Sequence, residues 1–292
     1  MKFGSVEDPA AVDFTLPPTH PDTLTLLDKH KKKKRDLEVY VGCAKWNKQD
    51  LKGFYPRGTK DELVYYATQF NSIELNGTFY NSPDKAQVET WKGKTPADFK
   101  FFPKVPQSIS HYGRLLNVDE KMTAFCDAIA LFEEKLGVSF LQLHDNFKPK
   151  DFDRLATFIK KFAKLTPLAV EVRNEEWFAD ESVRQKLWTL LESQEAANVL
   201  VDTAGRRDML HMRLTTPSAF IRYVGANHPT DKKRLDDWVT RIQEWHDAGL
   251  QSLYFFVHQN VELESPLLSA YFIEQLNKAL GLDVRGPSEK LF

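Results

Sequence analysis

Several strand-like runs of this chain end in two polar residues that are separated by one aliphatic residue. This pattern restricts the fold more than any other feature. The clearest runs are Ile73–Asn76, Leu141–His144 and Val170–Arg173, in which aliphatic and polar residues alternate. Because a strand directs alternate side chains to opposite faces, the polar residues of each run share one face. Amphipathic helix patterns separate the runs, which is typical of parallel strands covered by helices. The polar face is therefore predicted to line a barrel or crevice at the carboxyl ends of the strands, where α/β proteins place their sites.

Eight strand candidates alternate with helix candidates along the chain. The strands are predicted at Val39–Cys43, Ser72–Asn76, Lys100–Lys104, Ser139–His144, Leu168–Arg173, Val199–Asp202, Ala219–Val224 and Ser252–His258. Helices are predicted near residues 60–70, 84–92, 119–135, 151–164, 180–193, 232–247 and 266–280. Between the sixth and seventh strands the helix is short or missing. This order predicts an α/β fold of the (β/α)8 TIM-barrel type, with an open doubly wound sheet as the alternative.

The first 38 residues differ in composition from the rest of the chain. They are rich in proline and contain the basic run Lys29–Arg35. We predict an extended N-terminal arm and basic linker over residues 1–38, a single barrel domain over 39–282, and a C-terminal tail over 283–292. A length of 292 residues suits one such barrel with additions at its ends.

The polar residues at the strand ends form the predicted site. The residues predicted to be catalytic are Glu74, Glu171, Asp202 and His144. The residues predicted to bind substrate are Asn76, Lys104, Gln142, Arg173, Arg222 and His258, with Trp46 and Tyr80 from an aromatic rim that follows the strands. In a closed barrel, residues from so many strands would converge at one mouth.

This mixture of side chains restricts the chemistry without fixing it. The cations Lys104, Arg173 and Arg222 favour a small anionic or phosphorylated ligand. Carboxylates and histidines suit acid–base work, for instance in a hydrolase or isomerase, and they leave a divalent metal open, although no motif requires a cofactor. A structural interpretation competes with each of these residues, because Glu171 would need a cationic partner inside a barrel whether or not it reacts.

Charge and targeting features give expectations for partners and location. A formal net charge of −1 gives no general attraction to nucleic acid or membrane. The favoured interpretation of the basic run is a solvated linker. The run also supports the second function hypothesis, a nucleic-acid-processing barrel. A non-catalytic ligand-binding protein is the third. With two cysteines, no apolar run long enough to cross a bilayer and no signal-like N-terminus, we expect a cytoplasmic protein with reduced thiols.

Several segments resemble one known family. Val41–Trp46 followed by Gly53–Pro56, Phe70–Tyr80 and Ile109–His111 are similar to segments of the DUF72 (YecE-like) proteins, as are later segments out to about residue 280. The most specific is the Glu-x-Asn-x-Thr-Phe-Tyr pattern inside Phe70–Tyr80. The resemblance implies a TIM barrel and no established reaction. This chain departs from the family pattern around its first, seventh and eighth strands, so its substrate is expected to differ from that of other members.

Overall fold

The computed structural model describes residues 4–31 and 36–287. By their internal contacts they divide into two compact units. The first consists of the residues up to Ile73 together with those from Leu200 onward, and the second is Glu74–Val199. Each unit is described by itself below.

All eight predicted strands are present, and their ends differ from the predicted ends by no more than two residues. The strands are β1 (Glu38–Cys43), β2 (Ser72–Leu75), β3 (Lys100–Pro103), β4 (Ser139–Gln142), β5 (Leu168–Glu171), β6 (Ala197–Asp202), β7 (Ser218–Gly225) and β8 (Ser252–Gln259). The α-helices are α1 (Pro21–Lys31), α2 (Glu62–Gln69), α3 (Gly77–Tyr80), α4 (Lys85–Gly93), α5 (Asp119–Ile129), α6 (Phe152–Phe162), α7 (Glu176–Ala179), α8 (Glu181–Ser193), α9 (Thr230–Ala248) and α10 (Ser265–Leu280).

In the first unit, β1, β8 and β7 form a parallel sheet in that order. Their register places Val41 opposite Phe255 and Phe255 opposite Ile221. Helices α9 and α10 cover one face of these strands. Phe255 stacks on Phe272 of α10 with ring centroids 4.0 Å apart, and Trp238 of α9 meets Phe255 edge-on at 6.1 Å. These rings fill the apolar layer between the strands and the helices.

The opposite face of the same strands carries the polar residues that the alternation predicts. Phe220 and Phe256 contact one another on this face, with ring centroids 5.3 Å apart. Arg222 and His258 follow them by two residues and therefore project from the same side. The predicted parity is confirmed for both strands.

In the second unit, the carboxyl ends of neighbouring parallel strands are aligned. Gln142 at the end of β4 lies opposite Glu171 at the end of β5. An isolated parallel bridge joins Lys104, directly after β3, to Phe140. The Lys104 N–H also donates to the Leu75 carbonyl at the end of β2, at 3.2 Å. The backbone thereby brings the polar residues after β2, β3, β4 and β5 to one edge.

The sequence predicted an extended N-terminal arm, but part of this segment is helical. Residues Pro21–Lys31 form helix α1, which begins with proline at its first position, where proline is compatible with a helix. Leu27 is fully buried, and the Thr23 hydroxyl donates to the Met212 carbonyl at 3.0 Å and accepts from the Leu214 N–H at 2.9 Å. These tertiary contacts fix the helix. The rest of the predicted basic linker, residues 32–35, lies outside the described residues.

The chain therefore has an α/β fold built from parallel strands and covering helices. The closed eight-stranded barrel stays a prediction. Within the described part of the chain, no helix combines the length and the apolarity needed to cross a bilayer.

Candidate functional site

Eight of the twelve predicted site residues lie in the Glu74–Val199 unit, and four of these form one hydrogen-bonded chain. Lys104 Nζ donates to Gln142 Oε1 at 2.9 Å, and Gln142 Nε2 donates to Glu171 Oε1 at 2.9 Å. Arg173 Nε donates to the same Glu171 oxygen at 2.6 Å. Lys104, Gln142 and Glu171 are all buried. Two cations are thus connected to one carboxylate at the carboxyl ends of adjacent strands.

The orientation of the Gln142 amide follows from its two partners. An ammonium group can only donate, so the carbonyl oxygen of Gln142 must face Lys104. An ionised carboxylate can only accept, so the amide nitrogen must face Glu171. Gln142 therefore acts as a neutral spacer between Lys104 and Glu171, and it holds the two charges at a fixed separation.

A second carboxylate lies at the end of β2. Glu74 is fully buried, and Asn76 Nδ2 donates to its Oε1 at 2.7 Å. The two residues share a face, as the alternation predicted. Buried carboxylates are stabilised when amides or cations donate to them, so Asn76 has a clear role in orienting Glu74.

Aromatic rings form the floor beneath Lys104. Its ammonium nitrogen lies 4.1 Å from the centroid of the Phe79 ring in α3 and 5.7 Å from that of Phe140. A cation over an aromatic face is stabilised by the ring quadrupole, by about 2 kcal/mol where it is desolvated. Neighbouring Tyr80, predicted as a rim residue, is exposed. The two rings therefore define the position of the Lys104 ammonium group.

Two histidines stand beside this floor, and one of them was not predicted from strand ends. His111 belongs to the π-helical turn Ser108–Tyr112, a geometry that often occurs at functional sites. Its ring meets Phe79 edge-on at 4.9 Å and the predicted His144 at 5.1 Å. Its Nδ1 lies 2.9 Å from the buried Ser110 hydroxyl. The sequence did contain a signal, because Ile109–His111 is one of the segments that resemble DUF72 proteins.

The electrostatic surroundings of His111 connect it to the same cluster. Burial lowers its pKa from 6.5 to about 4, with further lowering by His144, Lys104 and Arg173, whereas Glu171 opposes the shift. The imidazole of His111 is therefore neutral near pH 7. Its ring and the Lys104 ammonium group both contact the Phe79 ring, which places the two residues in one site.

This shift predicts a pH dependence of stability. A folded pKa below the unfolded value means that the unfolded chain takes up the proton first as the pH falls. The stabilisation should be complete above about pH 6.5 and lost progressively as the pH falls towards about 4. We expect the free energy of unfolding, measured by urea titration at several pH values, to decline over this window. His111→Gln should flatten the decline, and His246→Gln, outside the site, should not; equal slopes in all three proteins would contradict the assignment.

The other four predicted residues lie in the first unit, where Arg222 and His258 interact directly. Arg222 Nη2 lies 3.3 Å from His258 Nε2, and His258 Nδ1 lies 3.8 Å from Glu262 Oε1. Because arginine can only donate, this contact requires a lone pair on Nε2 of His258 and places its proton on Nδ1, towards Glu262. Trp46 is half-buried, and its carbonyl accepts the Tyr55 hydroxyl.

Asp202 occupies a different environment from the one that a catalytic base needs. It is fully buried, and it accepts from Arg234 Nη2 at 2.8 Å, from Trp238 Nε1 at 2.8 Å and from Arg207. Burial opposes its ionisation, but Arg234 and Arg207 outweigh burial and hold the pKa of Asp202 below its ordinary value. This carboxylate organises the first unit, and we leave it out of the proposed reacting groups.

The remaining chemical alternatives receive little support. Burial raises the pKa of the Cys43 thiol well above its ordinary value, as expected for a small buried side chain rather than a nucleophile. Among residues 4–31 and 36–287, no group of three or more histidine, cysteine, aspartate or glutamate side chains is arranged to hold a metal ion. The hydrogen-bonded chain itself connects a cationic pair to a carboxylate, and a neutral imidazole lies beside it.

Comparison with known sequences gives a consistent set of relatives. The profile of a family described as "Protein of unknown function DUF72" matches residues 40–290. UPF0759 protein YecE of Escherichia coli is 27% identical over 264 residues, which cover 83% of this chain and 94% of that protein. UPF0759 protein YunF of Bacillus subtilis is 27% identical over 158 residues, or 51% of this chain and 55% of that protein.

Solved structures share the fold. A crystal structure of a DUF72 family protein from Enterococcus faecalis matches with a TM-score of 0.67 and 19% identity, covering 86% of this chain and 100% of that one. A second, from Thermotoga maritima, matches with a TM-score of 0.63 and 25% identity, covering 82% and 99% of the two chains. Neither description states a substrate or a reaction.

Proposed function

Since the chain belongs to the DUF72 family, whose description assigns no function, we propose from the geometry of its own residues that it is an enzyme for a small anionic or phosphorylated substrate. The site lies at the carboxyl ends of β2, β3, β4 and β5. The observation that carries the proposal is the hydrogen-bonded chain from Lys104 through Gln142 and Glu171 to Arg173, of which the first three residues are buried. Such a chain holds two cations in place before a ligand arrives, which is how enzymes stabilise negative charge at little reorganisation cost.

The proposed roles follow from the partners of each residue. Lys104 and Arg173 bind the anionic group, and Gln142 and Asn76 orient the carboxylates of Glu171 and Glu74. One of these two carboxylates serves as a proton acceptor, and His144 assists, in hydrolysis or isomerisation. Both reaction types move a proton at a polar centre, and positioned side chains accelerate this step by about 10²–10⁴-fold.

The predicted residues of the first unit keep narrower roles in the proposal. Arg222 and His258 are further substrate-binding candidates, because Arg222 is a cation and its contact fixes the ring of His258. Trp46 and Tyr80 stay predictions for an aromatic rim. A cytoplasmic location is also part of the proposal, and the free thiols of Cys43 and Cys126 support it.

Substitution of Glu171 tests whether the site reacts. Glu171→Gln keeps the size and one acceptor oxygen of the side chain but removes its charge. In a screen of phosphorylated metabolites, we expect the turnover of any compound that the wild type converts to fall about 10²-fold or more. Glu176→Gln is the matched control, because Glu176 is exposed and pairs with Lys148 in the same unit. Product formation by chromatography is the measurement. Equal rates in both variants would overturn the role of Glu171, and ligands that bind but return unchanged from the wild type would favour a binding protein.

A further inference from the structure

The proposed roles do not include His111, although its contacts hold its ring in a defined orientation. Its ring is held between Phe79 and His144, both nearly perpendicular to it, at 83° and 73°. Ser110, the preceding residue, is fully buried and lies 2.9 Å from Nδ1. Among the described residues, no hydrogen bond involves Nε2 of His111. One ring nitrogen is therefore fixed by the protein, and the other is available to a ligand.

We propose that His111 is a further proton acceptor of this site, in addition to the carboxylate, and that Ser110 sets its tautomer. The Ser110 hydroxyl lies 3.1 Å from the Pro106 carbonyl and 2.9 Å from Nδ1 of His111. If the hydroxyl donates to Pro106, its oxygen must accept from an N–H at Nδ1, and Nε2 then carries the lone pair. This inference rests on the proposed function, since it names a reacting group of the same site.

The surrounding charges favour the neutral form of the His111 ring. Nε2 is the ring nitrogen farther from the backbone, and the charged or titratable groups around the ring are His144 after β4, Lys104 after β3, and Arg173 and Glu171 at the end of β5. Nearby cations disfavour the protonated imidazolium. The ring therefore stays unprotonated, so that it can accept a proton.

The neighbouring His144 has the complementary arrangement. Its Nδ1 accepts from the backbone N–H of Asn146 at 3.1 Å. A backbone N–H can only donate, so the proton of a neutral His144 ring lies on Nε2. The two imidazoles thus present opposite functions at adjacent positions, a proton acceptor on His111 and a proton donor on His144.

The proposed step balances in charge and atoms. An O–H or C–H bond of the substrate breaks, its electron pair stays on the substrate, and the proton forms an N–H bond at Nε2 of His111. The substrate gains one negative charge and the imidazole gains one positive charge. Lys104 and Arg173 stabilise the new negative charge, as electrostatic catalysis requires.

Nuclear magnetic resonance of the histidine ring nitrogens tests the tautomer without a substrate. In ¹⁵N-labelled wild type near pH 7 we expect His111 with its proton on Nδ1 and His144 with its proton on Nε2. Ser110→Ala should convert His111 to a mixture of tautomers, and Ser110→Thr, which keeps the hydroxyl, should restore the wild-type pattern. His111→Gln provides the assignment. A wild-type His111 protonated on Nε2 would overturn the inference while leaving the anion site intact.

Sulfate provides the second readout, because it stays a dianion across the range in which His111 titrates. Sulfate bound near Lys104 and Arg173 should favour the protonated imidazole and raise the pH at which His111 titrates. Lys104→Met should abolish this shift. If His111 has the expected tautomer but sulfate leaves its titration unchanged in the wild type, the anion site of the proposed function is wrong, and the role given to His111 fails with it.

Discussion

Replacing Asp202 with asparagine is expected to lower the free energy of unfolding by about 3–5 kcal/mol, the usual cost of removing one partner from a buried ion pair. Asp202 is fully buried and accepts from Arg234, whose side chain is only 2% exposed. Asparagine would keep the shape but has one acceptor oxygen in place of two, so it cannot accept from both Trp238 and Arg234, and the charge of Arg234 loses its compensation. Urea unfolding monitored by circular dichroism gives the measurement.

A matched control separates this effect from the general cost of losing an acidic residue. Asp208 pairs with Arg206 at 2.8 Å, but its side chain is 35% exposed, and exposed pairs contribute about 0–1 kcal/mol. Asp208→Asn should therefore change stability by less than about 1 kcal/mol. If the two variants were equally stable, the structural role assigned to Asp202 would be wrong and a role in the reaction would return to consideration.

The N-terminal segment contacts Arg234 and Arg207, the two arginines that pair with Asp202. No local pattern in the sequence predicts these contacts. The Phe14 ring lies 4.2 Å from the Arg234 guanidinium and 5.4 Å from that of Arg207, and Arg207 also donates to the Phe14 and Thr15 carbonyls. Phe14 and Thr15 precede the segment that matches the family. A proline-rich stretch gives no local sign of such contacts, since its partners come from positions about 200 residues away.

The strands could be predicted because their signal is local. Alternation with period two defined both where each strand runs and which residues share a face, and the contact of Phe220 with Phe256 agrees with it. The missing helix between β6 and β7 was also visible, and the structure has only a short 3₁₀ turn, Arg207–Met209, at that place. Helix α1 was missed because tertiary contacts of Thr23 and Leu27 hold it, and local patterns do not report such contacts.

The site could be predicted only in part, for a related reason. Parity placed Arg173 beside Glu171 and Asn76 beside Glu74, but it could not separate reacting groups from structural ones. The partners that decide the role of Asp202 come from α9, 32 and 36 residues later. His111 was missed because it lies in a π-helical turn, and a rule based on strand ends does not reach such a turn.

The second large effect is expected at Lys104. Lys104→Met should weaken sulfate binding about 10–100-fold, because a charge-assisted hydrogen bond contributes about 1.5–3 kcal/mol and each 1.4 kcal/mol changes affinity about tenfold. Methionine has a similar length and stays compatible with the aromatic floor of Phe79 and Phe140, so the change removes mainly the charge. Isothermal titration calorimetry at low ionic strength measures the affinity.

Two companion variants make the result specific to the buried chain. Lys148→Met removes an exposed lysine of the same unit that pairs with Glu176, and it should leave sulfate affinity nearly unchanged. Lys104→Arg keeps the charge but replaces a compact ammonium with a planar fork, which cannot reproduce both the Gln142 bond and the position over Phe79. We expect its affinity to fall between those of the wild type and Lys104→Met. Wild-type affinity in Lys104→Met would contradict the anion site, whereas a loss shared equally by Lys148→Met would show that sulfate responds to net charge and not to the chain from Lys104 to Arg173.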